Sequence, residues 1–484
     1  MKLSQLLAGI KVLKTNVQLD MEISEVVYDS RKVTSGCMFV AVTGFATDGN
    51  QYIPMALNKG AAVVVTARPQ GEEVPYVQVE SDRLALAMIG ANFFGHPAKD
   101  MKLIGITGTN GKTSATLLLK HVLEQVQGAK VGLMGTMENM IGNQSIPTER
   151  TTPESFELQA LLAQMRDGGC SHVIMEVSSH ALVLDRVAGL HYAVAAFTNL
   201  TEDHLDFHKT MENYCDAKAE LFARCDKAVA NWDDPWFDRI TKKANCPLVS
   251  TSVKADADLR AEDLTLEADG VSFTAVYAGE RVAVKLPIPG QFTVYNALTV
   301  LGCAIQLGIT LSDAAAALAS AKGVKGRVEV VPTPGMDYTV LIDYAHTPDG
   351  LENVLTSVKG YCKGRLIAVF GCGGDRDPIK RPIMGKIAVD IADYTIITSD
   401  NPRREEPMKI IQDILKGVDL TKNNFEILEN RPKAIRRAMD IAEKNDIIVL
   451  AGKGHETYQE ICGVKHHLDE REVVAAYLEE MRTM

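Results

Sequence analysis

Short apolar runs alternate with helical spacings along the whole chain, and most runs end in a glycine-rich or polar turn. Val26 and Val27 lead through Tyr28-Asp29-Ser30-Arg31 into a turn, and Met38–Val42 and Ala62–Val65 read as strands. A turn at Gly44–Gly49 and a helix lie between them, and Phe94-Gly95-His96-Pro97 punctuates the end. Leu3, Leu6, Leu7 and Ile10 sit at helical spacing until Lys11 and Lys14 interrupt, which predicts an amphipathic helix rather than a signal peptide. Leu103–Ile106, His172–Glu176 and Ala195–Asn199 are further strands, each followed by a polar loop, and Leu117, Leu118, His121 and Val122 mark a helix after the first. The Gly/Lys stretch 322–327 is a linker, after which the alternation restarts with strands at 340–342, 365–370, 394–398 and 447–450. The pattern predicts an α/β chain of three domains, 1–98, 99–328 and 329–484, the central one built on a mostly parallel sheet covered on both faces.

Composition narrows the function. The 51 basic residues stand against 62 acidic ones for a net charge of −11, and no basic track is present, so no nucleic-acid partner is expected. No apolar stretch approaches the roughly 20 residues of a membrane span. The nine cysteines are scattered without a C-x-x-C pair, as in a reduced, cytoplasmic enzyme.

Candidate chemistry starts at Gly108-Thr109-Asn110-Gly111-Lys112-Thr113-Ser114, where a strand breaks into a glycine turn and Lys-Thr opens a helix. Backbone N–H groups there can face a polyphosphate, Lys112 can reach its outer phosphates, and the Thr113 hydroxyl can sit on Mg²⁺. Ile106 stands where the strict G-x-x-x-x-G-K-[ST] spacing has its first glycine. The base-reading N-K-x-D of a GTPase switch does not occur.

Glu176 closes a strand beside that loop, where a metal-holding carboxylate belongs. Glu202, Asp203, His204, Asp206 and His208 crowd the end of another strand, as metal chemistry or as a solvated acidic loop. Thr151 and Thr152 precede Pro153, and Thr152 reads equally as a helix cap or a ligand contact. Ser30 and Asn296 carry the same two readings, a cap against contact with a polar ligand or a base. Lys218 points from the apolar face formed by Met211, Tyr214, Ala217, Leu221 and Phe222. Snorkelling is its simpler account. Burial would instead leave a neutral amine able to add carbon dioxide and become a metal-binding carbamate.

In the last domain, strands end in Asp343-Tyr344-Ala345-His346, Gly371–Arg376, Asp400-Asn401-Pro402-Arg403 and Gly452–Glu456. Ligands of open parallel sheets bind beyond the strands' carboxyl ends. Arginine forks and a glutamate on one rim suit a small amino acid with more than one carboxylate.

Taken together, Gly108–Thr113, Glu176-Val177-Ser178-Ser179-His180, Asp203-His204-Leu205-Asp206, Tyr214-Cys215-Asp216-Ala217-Lys218, Asp343–His346 and Asp400–Arg403 resemble the Mur ligases, bacterial cytoplasmic enzymes that build the peptide stem of peptidoglycan. The resemblance is closest to members that add the third residue. It implies an N-terminal UDP-binding domain, a central P-loop ATPase and a Rossmann-like C-terminal domain. It implies the substrates UDP-MurNAc-L-Ala-D-Glu, ATP and meso-diaminopimelate, with Mg²⁺ as cofactor, in a monomer. Ser30, Thr151, Thr152, Ser178 and Arg186 would meet the UDP-substrate, and residues 108–114 with Asn296 would hold ATP. Thr113, Glu176, His204 and a carbamylated Lys218 would hold the metal, with Lys112, Arg327 and Asp343 also at the reacting phosphate. Arg376, Asp400, Asn401, Pro402, Arg403, Gly452 and Glu456 would hold diaminopimelate. Lysine-adding members usually lack the arginine of Asp-Asn-Pro-Arg, which makes that ligase the first alternative. A folylpolyglutamate synthase and a non-catalytic nucleotide switch are more remote ones. Two positions depart from the family pattern. Leu184 stands where a glutamine often contacts the muramoyl peptide, and Phe45-Ala46-Thr47 replaces a more polar turn.

Overall fold

The structure, a computed structural model, describes residues 1–44, 47–148, 150–267 and 269–483. Phe45 and Ala46 of the departing turn lie outside the described residues. Three main sheets succeed one another along the chain. The first has five strands in the order 12–15, 76–79, 63–66, 38–40, 26–27, parallel except at the Val12–Thr15 edge. The expected N-terminal helix is shorter than its spacing suggests. It spans Leu3–Leu6 and ends before Gly9, whose φ of +75° leaves the helical region.

The central sheet has eleven strands. Its middle runs 259–267, 248–252, 228–231, 194–197, 102–107, 172–176, 131–134, all parallel, and antiparallel strands extend it at both ends. Strands in the middle are buried on both faces, which is why Leu103–Ile106 and Val173–Met175 carry no alternating polar positions. The helices Lys112–Gln127 and Gln291–Gln306 cover one face through Leu119, Val122, Val294 and Leu298. The other face carries Leu158, Leu162, Tyr192 and Tyr214.

The third sheet has the strand order 329–331, 339–343, 447–451, 366–370, 394–397, 425–427. It is parallel except at its first strand. Pairing of Asp343 with Ala451 and of Phe370 with Ile397 brings the four chemistry-bearing loops onto one rim. A hairpin, Tyr458–Ile461 with Val464–His467, docks on this rim through a bridge from Ile461 to Arg403.

The first and central sheets meet at a helix pair, Asp82–Phe93 against Ser155–Asp167. Phe93, Phe94 and Phe156 form the aromatic seam, with centroid distances of 5.0 to 5.8 Å.

Candidate active site

The phosphate loop leaves strand Lys102–Thr107 and enters helix Lys112–Gln127 through Gly111, whose φ is +83°. A Cβ on Gly111 would lie 2.4 Å from Asn296 Oδ1, so only glycine allows this approach. The sequence expectation of a row of free N–H groups is met only in part. Thr109 N–H donates to the Asn199 carbonyl and Asn110 N–H to Asn199 Oδ1, at 2.8 and 2.9 Å. What remains is the first turn of the helix, Gly111 to Ser114, whose N–H groups have no intrahelical acceptor by position. Lys112 folds back over the loop and donates to the carbonyls of Gly108 and Thr109, both at 2.8 Å. Burial lowers its pKa, against the opposing charges of Glu176 and Asp203.

Lys218 does not snorkel. It is 1 % exposed, its Nζ donates to the same Gly108 carbonyl at 2.9 Å, and it lies over the Tyr214 ring at 4.5 Å. Burial, reinforced by the Lys112 charge, holds its pKa well below that of an ordinary lysine. The charged form of this buried amine is disfavoured where it faces the phosphate loop. The helix that carries it ends at Ala219, short of Leu221 and Phe222, which pack into the same core from the following turn.

Glu176 accepts from Thr113 Oγ1 at 3.0 Å, from Thr136 N–H at 2.9 Å and from Thr136 Oγ1 at 3.0 Å. Thr136 was not expected from the sequence. The signal was present, because Gly135-Thr136 follows the strand Val131–Met134, which lies beside that of Glu176. Thr136 Oγ1 lies 3.0 Å from Thr151 Oγ1, and Thr152 Oγ1 donates to the Glu176 carbonyl at 2.8 Å. The capping reading of Thr152 fails: the helix begins at Ser155 with Glu154 as its cap. Ser178 caps the short helix Ser179–Val183 and receives Thr152 Oγ1 at 3.4 Å, while Arg186 Nη1 donates to the Thr152 carbonyl at 3.3 Å. Ser30 is buried in the first sheet's turn, where Asp29 rather than Ser30 is the cap, and Lys59 Nζ takes its carbonyl at 3.1 Å.

His204, at a φ of +54°, stacks edge-on against His180 at 4.8 Å, and His208 lies 5.5 Å from His180 and 4.9 Å from Tyr214. Burial lowers the pKa of all three histidines, that of His208 to about 4. Below pH 6.5 the unfolded chain protonates these rings while the native one refuses, so stability is present above 6.5 and drains as pH falls toward 4. The thermal midpoint is therefore expected to fall over that window. In His208→Gln the slope should flatten by at most one proton, about 1.4 kcal/mol per pH unit. A slope in the variant equal to that of the parent would refute this.

Asn296 is not a cap either. It sits in the second turn of helix Gln291–Gln306 and lines a cleft with Ser114, Leu118, Phe292, Val324 and Arg327. Arg327 lies over the Tyr344 ring at 4.9 Å. Asp343 accepts from Val328 N–H and Ala345 N–H, both at 2.8 Å, and burial raises its pKa against the pull of Arg327. The nearby helix Pro348–Lys359 sends Asp349 across to the phosphate loop. Its Oδ2 accepts from Asn110 Nδ2 and Thr201 Oγ1, both at 2.9 Å. Nothing in the sequence singles out Asp349, which reads as an ordinary first-turn acid.

On the rim of the last sheet, Arg403 donates to the Gly374 carbonyl at 2.8 Å and pairs with Glu460 at 3.4 Å. Asn401 Nδ2 donates to Glu456 at 2.8 Å. Lys453, fully buried, donates to both Asn401 Oδ1 and Glu456 Oε2 at 3.2 and 3.1 Å. Lys453 and Glu460 were missed, one hidden between two glycines and one on a hairpin outside the sheet. Asp400 Oδ1 accepts from Asn401 N–H at 2.6 Å. A Cβ on Gly452, at φ +115°, would come within 2.6 Å of Asp400 Oδ2. Pro402 packs its carbonyl against Gly374, and the exposed Arg376 donates to the Asp375 carbonyl at 3.0 Å.

Comparison with known proteins covers all three units. The chain matches the Mur ligase family catalytic domain over residues 22–94, the Mur ligase middle domain over 106–304 and the Mur ligase glutamate ligase domain over 326–454. It is 47 % identical to the UDP-N-acetylmuramoyl-L-alanyl-D-glutamate--2,6-diaminopimelate ligase of Clostridium botulinum, covering 95 % of this chain and 96 % of that one. A solved structure of a ligase of the same name superposes with a TM-score of 0.75 at 32 % identity, covering 100 % of this chain and 99 % of that one. The MurF ligase of Thermotoga maritima in complex with ADP shares the fold, with a TM-score of 0.62 at 19 % identity over 95 % of this chain and 98 % of that one.

Proposed function

The chain belongs to the Mur ligase family, and from that premise we propose that it joins meso-2,6-diaminopimelate to the γ-carboxylate of D-Glu in UDP-MurNAc-L-Ala-D-Glu. It is an ATP-dependent acid–amino-acid ligase of peptidoglycan precursor synthesis. Residues 1–98 take the UDP-substrate, 99–328 take ATP and 329–484 take the amino acid, in a monomer working in the cytoplasm. No helix among the described residues is long and apolar enough to cross a membrane. The reading is supported by full-length similarity together with Arg403 and Glu456 on loops of the same rim. A guanidinium fork and a carboxylate suit an amino acid whose far end carries both a carboxylate and an ammonium.

A carboxylate is a poor acyl donor, so it must be activated. The γ-carboxylate of D-Glu attacks the γ-phosphorus of ATP, the bond to ADP breaks, and an acyl phosphate forms. Lys112 swings from the Gly108 and Thr109 carbonyls onto the phosphates, and the first helical turn offers them its N–H groups. The amine of diaminopimelate then attacks the acyl carbon, phosphate leaves, and the amide remains. Arg403 and Glu456 orient that amino acid, and closure of the lobes keeps water from the acyl phosphate.

Among the described residues no three His, Cys, Asp or Glu side chains are already grouped to hold a metal, so a divalent cation at the loop would need one change. Thr113, Glu176 and His204 offer a hydroxyl, a carboxylate and a neutral imidazole, but a bare amine at Lys218 is a poor partner for Mg²⁺. A neutral amine adds carbon dioxide, losing a proton to give a carbamate, and the set is then oxygen-rich. Bound there, Mg²⁺ would spread the charge of the transferring phosphoryl group.

The test is amide formation and ADP release by the purified protein with each reactant withheld in turn. Both should require UDP-MurNAc-L-Ala-D-Glu, ATP and diaminopimelate together. Equal or better use of L-lysine would defeat the choice of amino acid, and ADP release without any acceptor would favour a nucleotide switch.

A further inference from the structure

Three guanidinium groups converge on one carboxylate at the seam between the first and central sheets. Glu154 Oε2 has Arg186 Nε at 3.4 Å, Arg83 Nη1 at 3.6 Å and Arg150 Nη1 at 3.9 Å. Arg83, Arg186 and Glu154 are largely withdrawn from water, with side-chain exposures of 16, 16 and 11 %. One carboxylate cannot satisfy three such forks, and Arg186 Nε is left buried without a hydrogen bond. Other acids are near but engaged: Glu157 accepts from Tyr28 at 2.5 Å, and Asp185 is drawn to Arg224 as well as Arg83. Positive charge is therefore in excess at the seam. The cluster lies close to the reacting centre, because Arg186 holds the Thr152 carbonyl and Thr152 holds that of Glu176.

Arg83 is the member that comes from the first domain. It is anchored by Nε to the Thr43 carbonyl at 3.2 Å and reaches the Leu184 carbonyl with Nη1 at 3.4 Å. Leu184 brings no side-chain donor of its own. We propose that Arg83, beside Arg186, binds the non-reacting α-carboxylate of the D-glutamyl residue and thereby points its γ-carboxylate at the phosphate loop. This rests on the function proposed above, whose substrate carries two carboxylates of which only one is phosphorylated. Glu154 keeps the forks spread and aligned, and the substrate carboxylate supplies the charge that Glu154 alone lacks.

The experiment compares the parent, Arg83→Met and Arg83→Lys on two substrates: UDP-MurNAc-L-Ala-D-Glu and the analogue whose D-Glu α-carboxylate is an amide. With the natural substrate, Arg83→Met is expected to raise KM for the UDP-substrate roughly 10- to 100-fold. KM for ATP and for diaminopimelate should stay within about twofold, which also shows an intact fold. On the amide analogue the parent should already have lost most of that affinity, and Arg83→Met should add little. Arg83→Lys keeps the charge without the fork and should recover part of the loss, and it is the variant to read if the methionine variant does not fold. Equal penalties for Arg83→Met on both substrates, or no rise in KM at all, would overturn the proposal. If the parent makes no amide bond from the natural substrate, it is the function itself that fails.

Discussion

Replacing Lys218 with alanine is expected to lower kcat by about 100- to 1,000-fold, the range seen when a single group that stabilises transition-state charge is removed. Folding should survive, since the change removes an amine that is costly to bury. Formate or acetate should restore part of the activity, because a short carboxylate can occupy the place of the carbamate. The amine of any other lysine would not do, which separates this from a loss of packing. Mass analysis of active protein should show carbon dioxide added at Lys218. An unmodified amine in fully active enzyme, with no rescue by carboxylic acids, would remove the carbamate from the mechanism. Two features of the structure motivate this: Lys218 and Lys112 share the Gly108 carbonyl, and among the described residues the deeper of the two has no acidic partner at hydrogen-bond distance. Burial and the neighbouring Lys112 charge both disfavour the charged form of Lys218.

Arg403→Ala should raise KM for diaminopimelate by about 100-fold while leaving KM for ATP nearly unchanged. The same variant should narrow the preference for diaminopimelate over L-lysine, because lysine has no second carboxylate to lose. Arg403→Lys should recover little, since a lysine cannot fork and cannot also hold the Gly374 carbonyl. Steady-state kinetics with both amino acids checks this. An unchanged KM for diaminopimelate would take Arg403 out of the site, and Glu460, its present partner, would then be its whole purpose.

Much of the candidate site's geometry was readable because parallel sheets bring the loops at their strands' carboxyl ends together. Glu176, Asp343, Asp400 and Gly452 all follow apolar runs, and the sheet order then makes the C-terminal loops neighbours without further help. Local patterns failed where a residue's partner lies far along the chain. Thr152 has the look of a cap, yet the helix starts three residues later and its hydroxyl serves the Glu176 carbonyl. Lys218 has the look of a snorkelling lysine, yet the phosphate loop, 110 residues earlier, closes over it. Arg83 and Arg186 come from different lobes, and only their meeting at Glu154 gives either one meaning. Spacing within a helix reports which side is apolar, not what covers it.

Asp349 carries one further implication. It lays a negative charge on Asn110 and Thr201, the edge of the loop that is to receive a triphosphate. A nucleotide that drew on either donor would loosen this tie, and the seat of the C-terminal lobe would change with it. Thermodynamic reciprocity makes the dependence mutual: by whatever factor nucleotide alters the hold on the amino acid, the amino acid alters the hold on nucleotide. A single acid in a helix's first turn is thus a direct tie between the loop at 108–114 and the C-terminal sheet's helices.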